Sequence, residues 1–286
     1  MSTKKNLYII KASGEKVKFS MDKVAASLKK AGTEDSLIHT VLQKLKNELY
    51  DGITTREVYN RAFNILKEKN SYSASRYKLK RAIYELGPTG FPFEKFIGAI
   101  FRHTGFSIQI GKIMQGKCVK HEVDVVATNH KETFIMECKF HSDPGKFCDV
   151  KTPLYIHSRF TDIFNFSHEK DPAHPAFNEG WVVTNTRFSH DAIQYSKCIG
   201  LNLLSWDLPK GNALKDRIDH TGLYPITVST LLTQREKQFL LSRDVVLCKE
   251  LTEDNFYLDH LDISGERKAR ILLEMKELCH FKKPLK

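Results

Sequence analysis

The sequence predicts an α/β protein in three segments: a small α+β unit over residues 1–88, an α/β core over 89–210, and a small helical unit over 211–286. Three observations carry this reading. Between 89 and 210, stretches with the apolar period of a helix alternate with short β-prone runs, the pattern of helices packed around a central sheet. Before them, two short alternating runs flank Ser13-Gly14 and are followed by amphipathic helices. After them, apolar residues recur at helical spacing and strand signals fade.

The elements follow in order. Leu7-Tyr8-Ile9-Ile10 and Lys16-Val17-Lys18-Phe19 are expected to pair as a two-stranded hairpin. Ser20 caps a helix carrying Val24, Leu28 and Ala31, with Gly32 as its stop. A second helix runs through Leu37, Val41, Leu45 and Leu49. A third is capped by Thr54 or Thr55, and a fourth spans 73–86, stopping at Gly87-Pro88. In the core, a helix starting at Gly90-Phe91-Pro92-Phe93-Glu94 closes at Thr104-Gly105, and a strand covers 106–110. Two acidic strands at 121–126 and 134–139 are joined through Asn129-His130-Lys131. A helix over 151–166, a Pro/His-rich loop at 171–175, a buried strand at 180–184, a helix over 189–199 and a strand at 201–206 complete it. In the last segment Thr233-x-x-Glu236 caps a helix, 245–251 reads as a short second one, and a final helix carries Ala269, Ile271, Leu272, Met275 and Leu278.

Bulk composition sets limits. Hydrophobic content of 41% is globular, and no apolar run approaches a membrane span. Met1-Ser2-Thr3-Lys4-Lys5 lacks a signal peptide's apolar stretch, and six cysteines stand singly, which reads as reduced thiols in a cytoplasmic protein. The net charge of +11 is uneven: residues 1–88 hold 18 Lys+Arg against 9 Asp+Glu, while the rest is nearly balanced. A basic amino-terminal unit favours a polyanion, nucleic acid or nucleotide phosphate; the plainer alternative is a solvated lysine surface.

The most informative constellation lies on the acidic strands. Side chains two apart on a strand share a face, so Glu122 and Asp124 point one way and Glu137 and Lys139 project together. Two carboxylates and an ammonium across paired strands suit a divalent cation and a water nucleophile, which makes the chain a candidate phosphodiester hydrolase.

Three resemblances extend this. Ile10-Lys11-Ala12-Ser13-Gly14, Val17 to Phe19, Asp22-Lys23 and Tyr50-Asp51-Gly52-Ile53-Thr54-Thr55 resemble the ATP-cone, a nucleotide-binding regulatory module. The resemblance implies that Lys11, Lys23 and Thr55 lie near ATP or dATP. Ala12 and Val17 depart from the arginine and the acid common in that family. Glu94 on the first core helix, Glu122-Val123-Asp124, Glu137-Cys138-Lys139, the run Trp181 to Ser189 and Leu203-Leu204-Ser205-Trp206 resemble the restriction-endonuclease-like PD-(D/E)XK superfamily, most closely its Mrr-type branch. That implies a central mixed sheet flanked by helices. It also implies that Asp124, Glu137 and the Cys138 carbonyl bind Mg²⁺ or Mn²⁺, that Lys139 orients the attacking water or helps deprotonate it, and that Glu94 holds a metal-bound water from outside the ligand shell or ligates a second ion. Glu122 is read as a bystander in an edge salt bridge, and Glu94 is alternatively a first-turn acid favoured by the helix dipole. His141 continues the face of Lys139 and either touches substrate or ends the strand half-exposed. The last segment, around Asp262, Ser264 and Gly265, resembles a helix–hairpin–helix module, which would put Arg267, Lys268 and Arg270 on DNA phosphates; a dimerisation bundle is the alternative.

Taken together, the expectation is a metal-dependent endodeoxyribonuclease acting in defence against foreign DNA, controlled or assembled through nucleotide binding. One active site cuts one strand, so double-strand cleavage implies a homodimer or higher oligomer. The alternatives are a nucleotide-sensing regulator that binds DNA without cutting it, and an RNase using the same site.

Overall fold

In the computed structural model, which describes residues 7–11, 13–173 and 176–280, the amino-terminal segment folds as a small sheet against helices. Residues 1–6, Ala12 and positions 174–175 of the Pro/His-rich loop lie outside the described residues. β1 (Tyr8–Ile10) pairs antiparallel with β2 (Lys16–Lys18), Ile9 opposite Val17. α1 (Met21–Lys30) and α2 (Asp35–Glu48) follow. Ser20 stands at the N-cap of α1 without a side-chain hydrogen bond, while Gly32 ends the turn at φ +73°. The sheet has three strands rather than the expected two, because β3 (Ile53–Thr54) adds parallel to β1. The cause is local: the Tyr8 N–H donates to Asp51 Oδ1 at 2.8 Å and the Gly52 N–H donates to the Tyr8 carbonyl at 2.9 Å. These two bonds lay the chain after the turn along β1. α3 (Thr55–Lys69) starts from a capping box between Thr54 and Glu57, which settles the cap on Thr54. α4 (Ser71–Tyr84) begins two residues earlier than the sequence predicts, since the Asn70 side chain accepts the Ser73 N–H at 2.7 Å.

The core segment runs α5 (Phe91–His103), β4 (Ser107–Gln115), β5 (Lys120–Thr128), β6 (Thr133–Lys139), α6 (Lys151–Lys170), β7 (Glu179–Thr184), α7 (His190–Ile199) and β8 (Asn202–Leu204). The five strands lie in the order β4-β5-β6-β7-β8. The first three are antiparallel because short turns join them; the last three are parallel because α6 and α7 carry the chain back to the starting edge. This is the mixed α/β class the sequence predicts. β4 continues to Gln115, five residues past its expected end.

One face of the sheet packs on α5, whose Phe93, Phe96, Ile97 and Ile100 are buried against Val125, Met136 and Cys138. Gly98 permits the close approach: a Cβ there would stand 2.9 Å from Ile108 Cγ2. The other face buries Val126, Ile135 and Val182 against Ile156, Phe160 and Ile163 of α6 and Ala192 of α7.

Beyond the sheet come α8 (Leu214–Thr221), a 3₁₀ turn (Ile226–Val228), α9 (Gln234–Ser242), α10 (Cys248–Glu253), α11 (Phe256–Asp259) and α12 (Gly265–His280). α8 adds a helix to those the sequence predicts; Asp216 accepts the Ala213 N–H at its start and Gly222, at φ +67°, ends it. Residues 245–247, expected as helix, are extended: Leu247 bridges Pro225, and the Ile226 N–H donates to the Val246 carbonyl at 2.8 Å. Two consecutive β-branched valines favour that backbone.

A single apolar cluster includes Leu79, Ile83 and Leu86 at the end of the amino-terminal segment, the α5 face of the sheet, and Leu240, Leu251, Ile271 and Leu278. A second cluster holds Leu28, Val41, Leu45, Leu66 and Ala74, so α4 contributes to both. Glu274 of α12, 3% exposed, accepts hydrogen bonds from Ser75 Oγ at 2.8 Å, Ser229 Oγ at 2.6 Å and the Thr230 N–H at 2.9 Å. Among the described residues no helix is long and apolar enough to cross a membrane.

Candidate active site

The acidic cluster forms where β5 and β6 part. Their ladder runs from Thr128–Thr133 to Val125–Met136 and stops. One residue further on, Asp124 Oδ2 accepts the Cys138 N–H at 2.7 Å, a side-chain carboxylate in place of a backbone partner. Glu137, 4% exposed, has both oxygens engaged: Oε1 by Lys139 Nζ at 2.7 Å and Oε2 by Arg159 of α6 at 2.7 Å. The i, i+2 spacing on one strand face makes the Glu137–Lys139 pair possible. Arg159 also donates to the Glu122 carbonyl. Glu94, in the first turn of α5, sits within electrostatic reach of Asp124, Glu122 and Glu137. Glu94, Asp124, Glu137 and Lys139 therefore share one site.

The charges there are incompletely compensated. Burial, then repulsion from Asp124, Glu122 and Glu137, raises the Glu94 carboxyl to about 7 against the pull of Lys139. Burial and the Glu137 charge raise Asp124 to about 6, against the Cys138 N–H, Lys139 and Arg159. Among the described residues no three His, Cys, Asp or Glu side chains converge as a ready-made metal cage. The donor chemistry nonetheless fits a hard divalent cation: oxygen ligands only, with two acids whose ionised forms are destabilised and would be relieved by positive charge. Glu122, exposed and without a salt bridge among the described residues, contributes to that field.

The run after β7 locks the end of β6. Thr184 Oγ1 donates to the Lys139 carbonyl at 2.7 Å. The buried Asn185 side chain accepts the His141 N–H and donates to the His141 carbonyl, both at 2.8 Å. The backbone that carries Lys139 is thereby held from the neighbouring strand. The His141 ring turns to Cys148 Sγ, 3.4 Å away, and burial followed by Lys146 lowers its pKa, disfavouring the charged imidazolium. Arg159 was missed by sequence reasoning. Its signal is a lone arginine flanking the buried stripe Ile156, Phe160, Ile163, pointing at the sheet rather than to solvent.

The remaining expected residues lie elsewhere. Lys11 is exposed and paired with Glu15 at 2.8 Å; Lys23 and Thr55 are exposed in the first turns of α1 and α3. Arg267 grips both oxygens of Glu236 at 2.6 and 2.7 Å and the Leu231 carbonyl at 2.8 Å, and Lys268 pairs with Asp259. Arg270 is exposed, with no ion pair or side-chain hydrogen bond among the described residues.

Comparison with known proteins places these parts. The ATP cone domain family matches residues 7–84, and the family described as AF1548-like, C-terminal, matches 224–279. An uncharacterized protein of Archaeoglobus fulgidus is 30% identical over 175 residues, spanning 61% of this chain and 94% of the relative. The crystal structure of AF1548, a protein of unknown function, superposes at TM-score 0.54 with 26% identity, covering 67% of this chain and 98% of that one. The DNA modification-dependent restriction endonuclease AspBHI gives a TM-score of 0.30 at 15% identity, over 49% of this chain and 33% of its own. The chain thus belongs to the family of the Archaeoglobus fulgidus protein, with an ATP-cone at its amino end and an AF1548-like carboxy-terminal region.

Proposed function

We propose that the protein is a metal-dependent endodeoxyribonuclease of the Mrr/restriction type, controlled by ATP or dATP at its ATP-cone. The observation that carries this reading is the cluster of Asp124, Glu137 and Lys139, with Glu94 beside it, at the point where two strands diverge. Mg²⁺ or Mn²⁺, when bound, would polarise the scissile phosphate and acidify a water. Asp124, Glu137 and the Cys138 carbonyl would hold the ion. Lys139 orients the water and offsets charge developing on the phosphate oxygens. Glu94, poised near neutral pH, is suited to take up the water's proton. Arg159 positions Glu137. Foreign DNA in the cytoplasm is the intended target, and a homodimer supplies the second cut. Arg267 and Lys268 are engaged within the chain, so the carboxy-terminal phosphate contact in this reading falls chiefly on Arg270.

The closed pairing of Glu137 with two cations favours a second reading, a nucleotide-sensing regulator that binds DNA without cutting it. Cleavage of plasmid DNA, single strands and RNA by wild type and Lys139→Ala, with Mg²⁺ or Mn²⁺ and with or without ATP and dATP, separates them. Metal-dependent DNA cutting that Lys139→Ala abolishes supports the nuclease. Preferential cutting of RNA makes the same site an RNase. DNA binding without hydrolysis at any metal concentration overturns the nuclease and leaves the regulator.

A further inference from the structure

A cavity of about 230 Å³ lies where α3 and α4 meet the start of α9, outside both the acidic site and the positions of Lys11, Lys23 and Thr55. Its lining holds four cationic side chains, Lys67, Lys78, Arg81 and Lys237, against a single carboxylate, Glu85. That carboxylate is over-subscribed: Lys78 stands at 2.8 Å, Arg81 at 3.6 Å and Lys237 at 3.7 Å. Lys237 is the unusual member. Its side chain is 5% exposed, and 3.7 Å to Glu85 is too long for a hydrogen bond. Burial, followed by Lys78, pulls its ammonium down to about 7. The Tyr59 hydroxyl, on the same lining, is buried without a hydrogen-bond partner. A buried cation short of acceptors and an orphaned hydroxyl donor each cost free energy that an anion with several acceptor oxygens would recover.

We propose that this cavity is a binding site for a small phosphate-type anion, gripped by Lys237 and Lys78 from the two sides of the junction, with Tyr59 Oη as an additional donor. The cavity is large enough for one or two phosphoryl groups and is open to solvent on one side. The phosphoryl group is either free, as phosphate or pyrophosphate, or the end of a longer nucleotide whose remainder lies outside. Occupancy joins α3 and α4 of the ATP-cone to α9 of the AF1548-like region. The inference does not rest on the nuclease reading, since none of its residues belongs to the acidic site.

The test is thermal unfolding of the full chain titrated with phosphate, pyrophosphate and ATP, each against sodium chloride at matched ionic strength. Pyrophosphate is expected to raise Tm saturably, beyond the chloride control. Lys237→Met should abolish that shift while leaving the basal Tm unchanged or raised, because it removes a poorly satisfied buried charge. Tyr59→Phe, which keeps the ring stacked on Tyr77, should weaken the midpoint several-fold. Free anion as the source predicts that ATP shifts Lys237→Met as it shifts wild type; the tail of a nucleotide predicts that the ATP shift falls with the pyrophosphate shift. A pyrophosphate effect reproduced by chloride, or a full response retained in Lys237→Met, overturns the proposal. Should Lys237→Met fail to fold, an unchanged pyrophosphate midpoint in both Tyr59→Phe and Lys67→Ala overturns it equally.

Discussion

Asp124→Asn should make the metal-free protein more stable, not less, at neutral pH. Asp124 ionises at about 6 in the folded chain, against an ordinary value near 3.8, because burial and the Glu137 charge disfavour its carboxylate. A raised acid destabilises the fold wherever the unfolded chain has already ionised, so stability falls as pH climbs from about 4 to about 6 and stays lower above that. Ionising the buried carboxyl under these conditions costs the fold at most about 3 kcal/mol, and water at the open side of the site reduces this to about 1 kcal/mol. With an unfolding entropy of about 2.1 cal/mol/K per residue, that is a rise of ~2 °C in Tm. Asparagine still accepts the Cys138 N–H, so the hydrogen bond at the strand divergence survives. The assay is calorimetric unfolding of both proteins in EDTA at pH 4 and pH 8, repeated with Mg²⁺. The variant should gain at pH 8, match wild type at pH 4, and lose the Mg²⁺-dependent rise. A variant that melts below wild type at pH 8, or by the same margin at both pH values, refutes the reasoning. Asp124 would then be an asset to the fold rather than stored repulsion.

Arg159→Met leaves Glu137 buried with Lys139 alone, and urea unfolding should show a loss of about 2–3 kcal/mol. Lys139→Met, by contrast, should cost less stability, since Lys139 is the more exposed partner, yet eliminate cleavage. Glu274→Ala orphans the hydroxyls of Ser75 and Ser229 and the Thr230 N–H, so a loss of about 3 kcal/mol and faster proteolysis between the amino-terminal segment and α12 are expected. Arg267→Ala should lower stability by about 1 kcal/mol with little change in DNA affinity, whereas Arg270→Ala should reduce the salt dependence of DNA binding and leave Tm alone; gel shifts across a salt series check both.

Much of this protein was legible from residue order because its elements obey local rules. Apolar period, caps and glycine stops located α5, β5, β6, α7 and α12 to within a few residues, and the i, i+2 spacing of Glu137 and Lys139 made their pairing a property of any strand. β3 escaped notice because two residues carry no periodic signal; its place depends on Asp51 and Gly52 reaching back to Tyr8, a contact across 43 positions. Residues 245–247 misled because an apolar run of that length fits helix and strand alike, and only pairing with Pro225 and Ile226 decides.

The sequence by itself determined the chemical inventory: a basic amino-terminal unit, an acid–lysine motif on adjacent strands, and a helical end. Tertiary structure alone decided how that inventory is charged and joined. It brought Arg159 to Glu137 and turned His141 toward Cys148. It also raised Glu94 and Asp124 by burying them together. In the same way it ran one apolar cluster from Leu79 to Leu278 and set Lys237 beside Lys78 in a cavity with too few acceptors. The reason is physical. Propensity and periodicity act over a few residues and are written in their order, while desolvation and Coulomb energies depend on distances between residues that only the folded chain brings together.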